Sequence, residues 1–399
     1  MRAVFHIGRP KVGSTSIQSF LYANTNALSR MGVLYDRLDP NYSSQWELPI
    51  AALSASGIHI PDPHISRLLQ IEKLTEQERY AEQMVRRFEA SLAKNKADKD
   101  LYVASSEHAA HYLRTPSDVT RFDKLLRQYF DAPDYVVYIR DQVSLTLSAY
   151  SEMIKRGGTT AFPEYLNKSL RQKRFDHARV LAPWIEAVGP ERLKVRLLER
   201  DGLVGGDLID DFCDSAGIDP TGLERPTNEN PSLSRDAAEV MRVLNGYLPS
   251  LLENGRRNPL ARGLLDRLMT HYANEPPLQM SVGRRTRTQT VYAEGNESVR
   301  AMFFAERTSL FTPKKDSLTN PQVTNFDPEA TLQIALSMLI ATRQGKIAPL
   351  SARELRRAIS LDPLTATPSG TSPQRATLYD RWPVLRSPRF QQLNPFKRG

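Results

Sequence analysis

The chain has 399 residues and a net charge of +9, with 40% hydrophobic and 25% charged residues, the profile of a soluble globular protein long enough for one large domain or two ordinary ones. Its single cysteine, Cys213, excludes an internal disulfide framework and a cysteine-rich metal site, and fits a reducing cytoplasmic setting. No apolar run approaches the roughly 18 residues of a membrane span, and no secretory pattern is expected, because ordered-looking sequence begins at Arg2.

Residues 2 to 7 (RAVFHI) read as a strand that ends at Gly8. A helix is expected next, with Ile17, Phe20, Leu21, Leu28 and Met31 on one face and Gly32 as its stop. A long polar helix is expected over 75–95, a short strand at Leu101 to Ala104, a helix over 117–130, and a buried-type strand at Tyr135 to Ile139. Helices follow at 143–155 and 179–188, then a strand at 193–199 and a helix in GDLIDDFCDSAG, where Asp210, Asp211 and Asp214 read as a solvated face. Strands alternating with helices predict an α/β fold, a mainly parallel sheet covered on both faces.

From Pro226 the pattern becomes helical, with helices expected at 232–252, 260–271, 296–306 and 331–342, and a polar irregular stretch at 274–294. Three regions follow: an α/β core over 1–225, a helical part packed on it over 226–350, and a Pro-rich basic tail over 351–399 expected to be disordered. That tail holds nine Lys/Arg against three Asp/Glu, so it carries +6 of the net charge. Without an aromatic platform it does not suggest nucleic-acid binding. The histidines are scattered and give no metal-ligand cluster.

The informative stretch is HIGRPKVGSTSIQSFL, residues 6 to 21. Gly8 and Gly13, followed by Ser14 and Thr15, form a glycine-rich loop between a strand and a helix, where backbone N–H groups and the helix dipole meet an anion. The lysine that follows the second glycine in an NTPase P-loop is missing; Lys11 sits inside the loop instead.

Pro10-Lys11-Val12-Gly13-Ser14-Thr15 resembles the 5′-phosphosulfate loop of sulfotransferases, and the setting with His6 and Gln18 is particularly similar to bacterial members. The resemblance implies a P-loop-like fold, the co-substrate 3′-phosphoadenosine 5′-phosphosulfate (PAPS), and no metal. It implies that Pro10, Lys11, Val12, Gly13, Ser14 and Thr15 hold the phosphosulfate, with Lys11 also stabilising the leaving phosphate. Val12 replaces the usual hydroxyl residue. Ser16 stands where the cytosolic animal enzymes often carry tryptophan, so adenine must stack elsewhere.

The family binds the 3′-phosphate with an arginine at a strand end and a serine eight residues later; here these are Arg140 and Ser148. Its acceptor base is a histidine or glutamate, which in SSEHAAHYL would be Glu107, with His108 as the other choice and His111 on the outer face. His6 is expected to shape the loop through a hydrogen bond. Arg284, Arg285 and Arg287 lie in the polar stretch and could replace an additional 3′-phosphate clamp, although a solvated loop is the simpler reading. The implied reaction is sulfuryl transfer to a hydroxyl or amine of an acceptor, a glycan being the guess, with lipid, small molecule and protein open. The rivals are an ATP-dependent kinase or NTPase with a variant P-loop, and a non-catalytic nucleotide-binding relative.

Overall fold

Five short strands carry the apolar runs of the N-terminal half: β1 (Arg2–Ile7), β2 (Val33–Tyr35), β3 (Leu101–Ser106), β4 (Asp134–Ile139) and β5 (Leu193–Leu197). They form one sheet in the order β2-β3-β1-β4-β5, and every neighbouring pair is parallel. The computed structural model describes residues 1–40, 45–225, 232–246, 248–252 and 256–312, all within the unit Met1–Pro349. The helix expected at 331–342 and the basic tail lie outside the described residues.

Because strand side chains alternate, each strand supplies two cores. Ala3, Phe5 and Ile7 of β1, with Tyr102, Tyr135, Val137 and Val195, face α3 (Glu47–Ser54), α5 (Leu74–Asn95), α7 (Pro116–Arg127) and α10 (His177–Val188). Val4, Val103, Val136 and Tyr138 face the other way, onto α1 (Ser14–Ala23), α2 (Thr25–Arg30) and α11 (Leu208–Ala216). Phe88, Phe122, Phe20 and Phe212 are fully buried, and each such side chain contributes ~1.5–3 kcal/mol by leaving water. The fold is α/β, with a strand, a glycine loop and a helix in the P-loop order. A third apolar cluster joins α8 (Gln142–Lys155) to α12 (Arg235–Asn245) and α13 (Pro259–His271), the helical C-terminal region. No helix of the described residues is long and apolar enough to cross a membrane.

Several elements differ from the sequence pattern, each for a tertiary reason. The helix expected up to Gly32 breaks at Asn24, whose side chain donates to the Phe20 carbonyl at 2.8 Å and pairs both ways with the backbone of Glu224 (2.9 and 2.8 Å). Edge strand β2, only three residues long, is too short to show a period. The helix expected over 232–252 spans only Arg235–Asn245, begun by Ser234, whose hydroxyl accepts from the Ala237 N–H at 3.2 Å.

The stretch read as irregular over 274–294 belongs largely to a 22-residue helix, α14 (Val282–Phe303). Its apolar residues are too sparse for a stripe. It is held by buried Tyr292, which donates to the Ser169 carbonyl at 3.4 Å, and by a reciprocal amide pair between Asn296 and Gln142 at 2.6 and 3.1 Å. Gly295 permits the close approach of α10: a Cβ there would lie 2.5 Å from Asp176 Oδ1.

Asp211 is a correction of another kind. It is fully buried rather than solvated, accepting from Tyr138 Oη at 2.6 Å, from the Arg196 guanidinium through both oxygens, and from the Val204 N–H at 3.1 Å. Removing one partner of such a cluster leaves the others desolvated. Asp211→Ala is expected to lower unfolding stability by about 3 kcal/mol, measured by urea denaturation. Asp214→Ala, on the exposed side of the same helix, should change it by less than about 0.5 kcal/mol.

Candidate functional site

The parallel register brings three chain segments to one edge of the sheet. Ile7 pairs with Ser106 and His6 with Val136, so Gly8, Glu107 and Arg140 leave three adjacent strands on the same side. A chain reversal between crossovers at this edge is where α/β sheets bind ligands. The loop from Gly8 to Gly13 is tied to β3 by the Gly8 N–H, which donates to the Ser106 carbonyl at 2.8 Å. A Cβ on Gly8 would lie 2.3 Å from Ser14 Oγ and 3.1 Å from the Glu107 Cα, so only glycine fits there.

Within the loop Lys11 takes a left-handed conformation (φ 67°), as does Gly13 (φ 88°). A left-handed lysine costs about 1–2 kcal/mol, a strain characteristic of ligand-binding turns. Gly13 begins α1 without a side-chain cap, so the first N–H groups of that helix have no capping side chain. Ser14 is buried and its hydroxyl donates to the Arg9 carbonyl at 3.1 Å, while Thr15 is exposed and Val12 is fully buried in the core beneath the loop.

Lys11 points across the cleft. Its Nζ lies 2.7 Å from Glu152 Oε2 on α8, and the other oxygen of that carboxylate accepts from Arg156 Nε at 2.7 Å. Burial pushes the Glu152 carboxyl up, but the two cations outweigh it and leave the group below its usual range. Glu152 lies one helical turn after Ser148, so the face of α8 that carries Ser148 is turned toward the loop.

Arg140 is half-buried at the end of β4. Among the described residues no hydrogen bond or ion pair engages its guanidinium, and burial pulls its pKa down, with Asp141 opposing. The Ser148 hydroxyl is half-buried too, and no described group satisfies it. A desolvated arginine without a carboxylate is a costly arrangement unless an anion joins it.

Just beyond the end of β3, burial pushes the Glu107 carboxyl up, while Arg156 and Lys11 pull it down and Glu152 adds to the rise. The neighbouring His108 ring packs against Trp46 and Tyr112, with centroids 5.3 and 5.1 Å away, and burial lowers its pKa to about 4. The two groups are 3.6 Å apart, too far for a hydrogen bond, and a neutral imidazole makes no ion pair. His111 is exposed. His6 is buried and shares a 2.8 Å hydrogen bond with Ser105 Oγ, so it anchors β3 rather than the loop itself. Ser105 also receives Gln18 Nε2 at its carbonyl (3.4 Å) and donates its N–H to Gln45 Oε1 (2.6 Å), forming a polar layer under the site.

The three arginines read as a loop lie on α14 instead: Arg287 donates to Asn167 Oδ1 at 2.7 Å, and Arg284 sits 6.0 Å from the Phe162 ring centre. Sequence reasoning missed Glu152, Arg156, Arg9 and His177, which the fold brings to this region. The spacing of Glu152 from Ser148 was the one available signal. Because His108 is neutral when folded and protonates near pH 6.5 when unfolded, the folded state loses stability from this group as pH falls from 6.5 toward 4. His108→Leu removes that dependence. Its stability relative to wild type should rise by up to ~1.4 kcal/mol per pH unit below pH 6.5, as measured by denaturation at pH 7, 6 and 5.

No family model matches the chain. An uncharacterized protein from Archaeoglobus fulgidus is 29% identical over 133 residues, covering 33% of this chain and 35% of that protein, so the chain spans about a third of that relative. Among solved structures, a sulfotransferase from Alicyclobacillus acidocaldarius aligns with a TM-score of 0.37 and 14% identity, over 61% of this chain and 94% of that one. The sulfotransferase domain from the curacin biosynthetic pathway aligns with a TM-score of 0.34 and 12% identity, over 73% and 97%.

Proposed function

We propose that the protein is a sulfotransferase that draws its sulfuryl group from PAPS. The observation that carries this reading is Arg140: a half-buried guanidinium with no hydrogen bond or ion pair among the described residues, at the strand end beside a loop that bears a left-handed lysine. A nucleotide with phosphates at both ends of its ribose uses both places, whereas ATP leaves Arg140 and Ser148 without a task. Lys11, the Gly13 backbone and the first N–H groups of α1, with Thr15, would hold the 5′-phosphosulfate, and Arg140 with Ser148 the 3′-phosphate. Pro10 and Val12 shape the loop, and Ser14 braces it through the Arg9 carbonyl.

Bound there, the donor supplies an activated sulfuryl group whose bond to the phosphate oxygen breaks as the acceptor forms its bond to sulfur. The chain's part is electrostatic and protolytic. Lys11 places positive charge where the leaving phosphate gains negative charge. Glu107 takes the acceptor's proton, helped by burial, which raises its pKa above the usual carboxylate value and makes it a stronger base. Neutral His108, beside it, is the other group able to take that proton. A sugar hydroxyl is the acceptor we favour.

Thermal unfolding with adenosine 3′,5′-bisphosphate, AMP, or ATP plus Mg²⁺ tests the reading. At ~100 times its dissociation constant a ligand adds about 2.7 kcal/mol to the folded state. The bisphosphate should raise the midpoint most, and Arg140→Ala should abolish its advantage over AMP. A shift with ATP and Mg²⁺ alone would sink the proposal in favour of a kinase. The ion pair between Lys11 and Glu152 is partly exposed, each side chain being 23% and 22% accessible, and so is worth at most ~1 kcal/mol. Glu152→Gln frees Lys11 and should tighten binding of the 5′-phosphorylated nucleotides by up to about fivefold, read by titration calorimetry.

A further inference from the structure

His177 begins α10, far in sequence from the loop, yet the fold places it between both anion sites. Its Nδ1 lies 2.8 Å from Arg9 Nη1, and its Nε2 lies 2.8 Å from the Arg140 carbonyl oxygen. Arginine only donates and a carbonyl only accepts, so Nδ1 must be the acceptor and Nε2 must carry the proton. One neutral tautomer satisfies both neighbours, and both the histidine (0% exposed) and Arg9 (9% exposed) are buried. Phe311 packs edge-on to the imidazole, with ring centres 5.7 Å apart. The segment carrying Phe311 is pinned to Glu199, just beyond β5, by Arg307 and by the Thr312 N–H at 3.0 Å.

Arg9 is itself unusual. Among the described residues its guanidinium makes one hydrogen bond, to His177, and no ion pair; Asp176 and Tyr292 support its charge only at longer range. Burial lowers its pKa to about 10, which leaves it charged at neutral pH. This buried cation, with no carboxylate in contact among the described residues, shares its loop with Lys11.

We infer that His177 is a positioning residue that holds the loop and the end of β4 in register through Arg9 and the Arg140 carbonyl, and so sets the spacing at which the two phosphate sites accept one nucleotide. The inference rests on the nucleotide reading of the preceding subsection. It differs from a simple packing role, because a strut between two sites affects ligands that span both more than ligands that use one. Arg140 meets its anion through the side chain while its carbonyl is fixed from behind, so the tether controls where the guanidinium starts.

Titration calorimetry of the full chain with adenosine 3′,5′-bisphosphate and with AMP separates these roles. In His177→Phe the advantage of the bisphosphate over AMP should fall roughly tenfold, the worth of a lost hydrogen bond to a charged partner, while AMP affinity changes little. His177→Gln, which keeps a donor for the Arg140 carbonyl, and His177→Asn, which keeps an acceptor for Arg9, should each recover part of the advantage. These two polar variants also decide the matter if His177→Phe does not fold. An affinity ratio equal to wild type in the variants, even with a lowered unfolding midpoint, overturns the inference and leaves the nucleotide reading intact. If the wild-type chain binds neither nucleotide, both fall.

Discussion

The site depends first on the register of β1 between β3 and β4. Because all three strands are parallel and in step, the chain leaves them at one edge with a glycine, a glutamate and an arginine. No single one of these segments could make a site. Gly8 is required where the loop presses on Glu107, and the Ser106 carbonyl holds that loop to its neighbour. A slip of one residue between β1 and β3 would turn His6 and Ser105 away from each other and undo the polar layer beneath.

Charges of both signs meet around this edge, with Lys11 lying near both Glu152 and Glu107. Lys11, Arg9 and Arg140 gather near the loop and strand ends, and Glu107 and Glu152 face them. Glu152 answers Lys11 and Arg156 together, while Arg140 has no such answer among the described residues. On the proposed reading the two cations differ in their resting states. Lys11 exchanges one anionic partner for another, whereas Arg140 gains a partner it lacked, so more binding energy is available at the 3′ end.

The alternation of strands and helices and the glycine loop could be read from local pattern because each depends on a short run of residues, whereas Arg140, Ser148 and Glu107 stood out only through the family resemblance. The break at Asn24 and the continuity of α14 could not. Asn24 ends a helix because Glu224, 200 residues on, receives and returns its hydrogen bonds, and α14 persists without an apolar stripe because Tyr292 and Asn296 find partners on other elements. Asp211 looked like surface beside Asp210 and Asp214, and only the approach of Tyr138 and Arg196 makes it interior. His177 gave no local sign for the same reason: both of its partners come from other parts of the chain.

The amide staple between Asn24 and Glu224 also bears on how the chain is made. On a ribosome the first strand, the loop and the first helix emerge long before residue 224, and until then the turn after that helix has no partner to define it. Closing a contact of this sequence separation is slow compared with forming the helices themselves. β1 likewise has no strand partner until β3, and then β4, has followed it. The turn that closes α1 is therefore made about 200 residues before the backbone that fixes it.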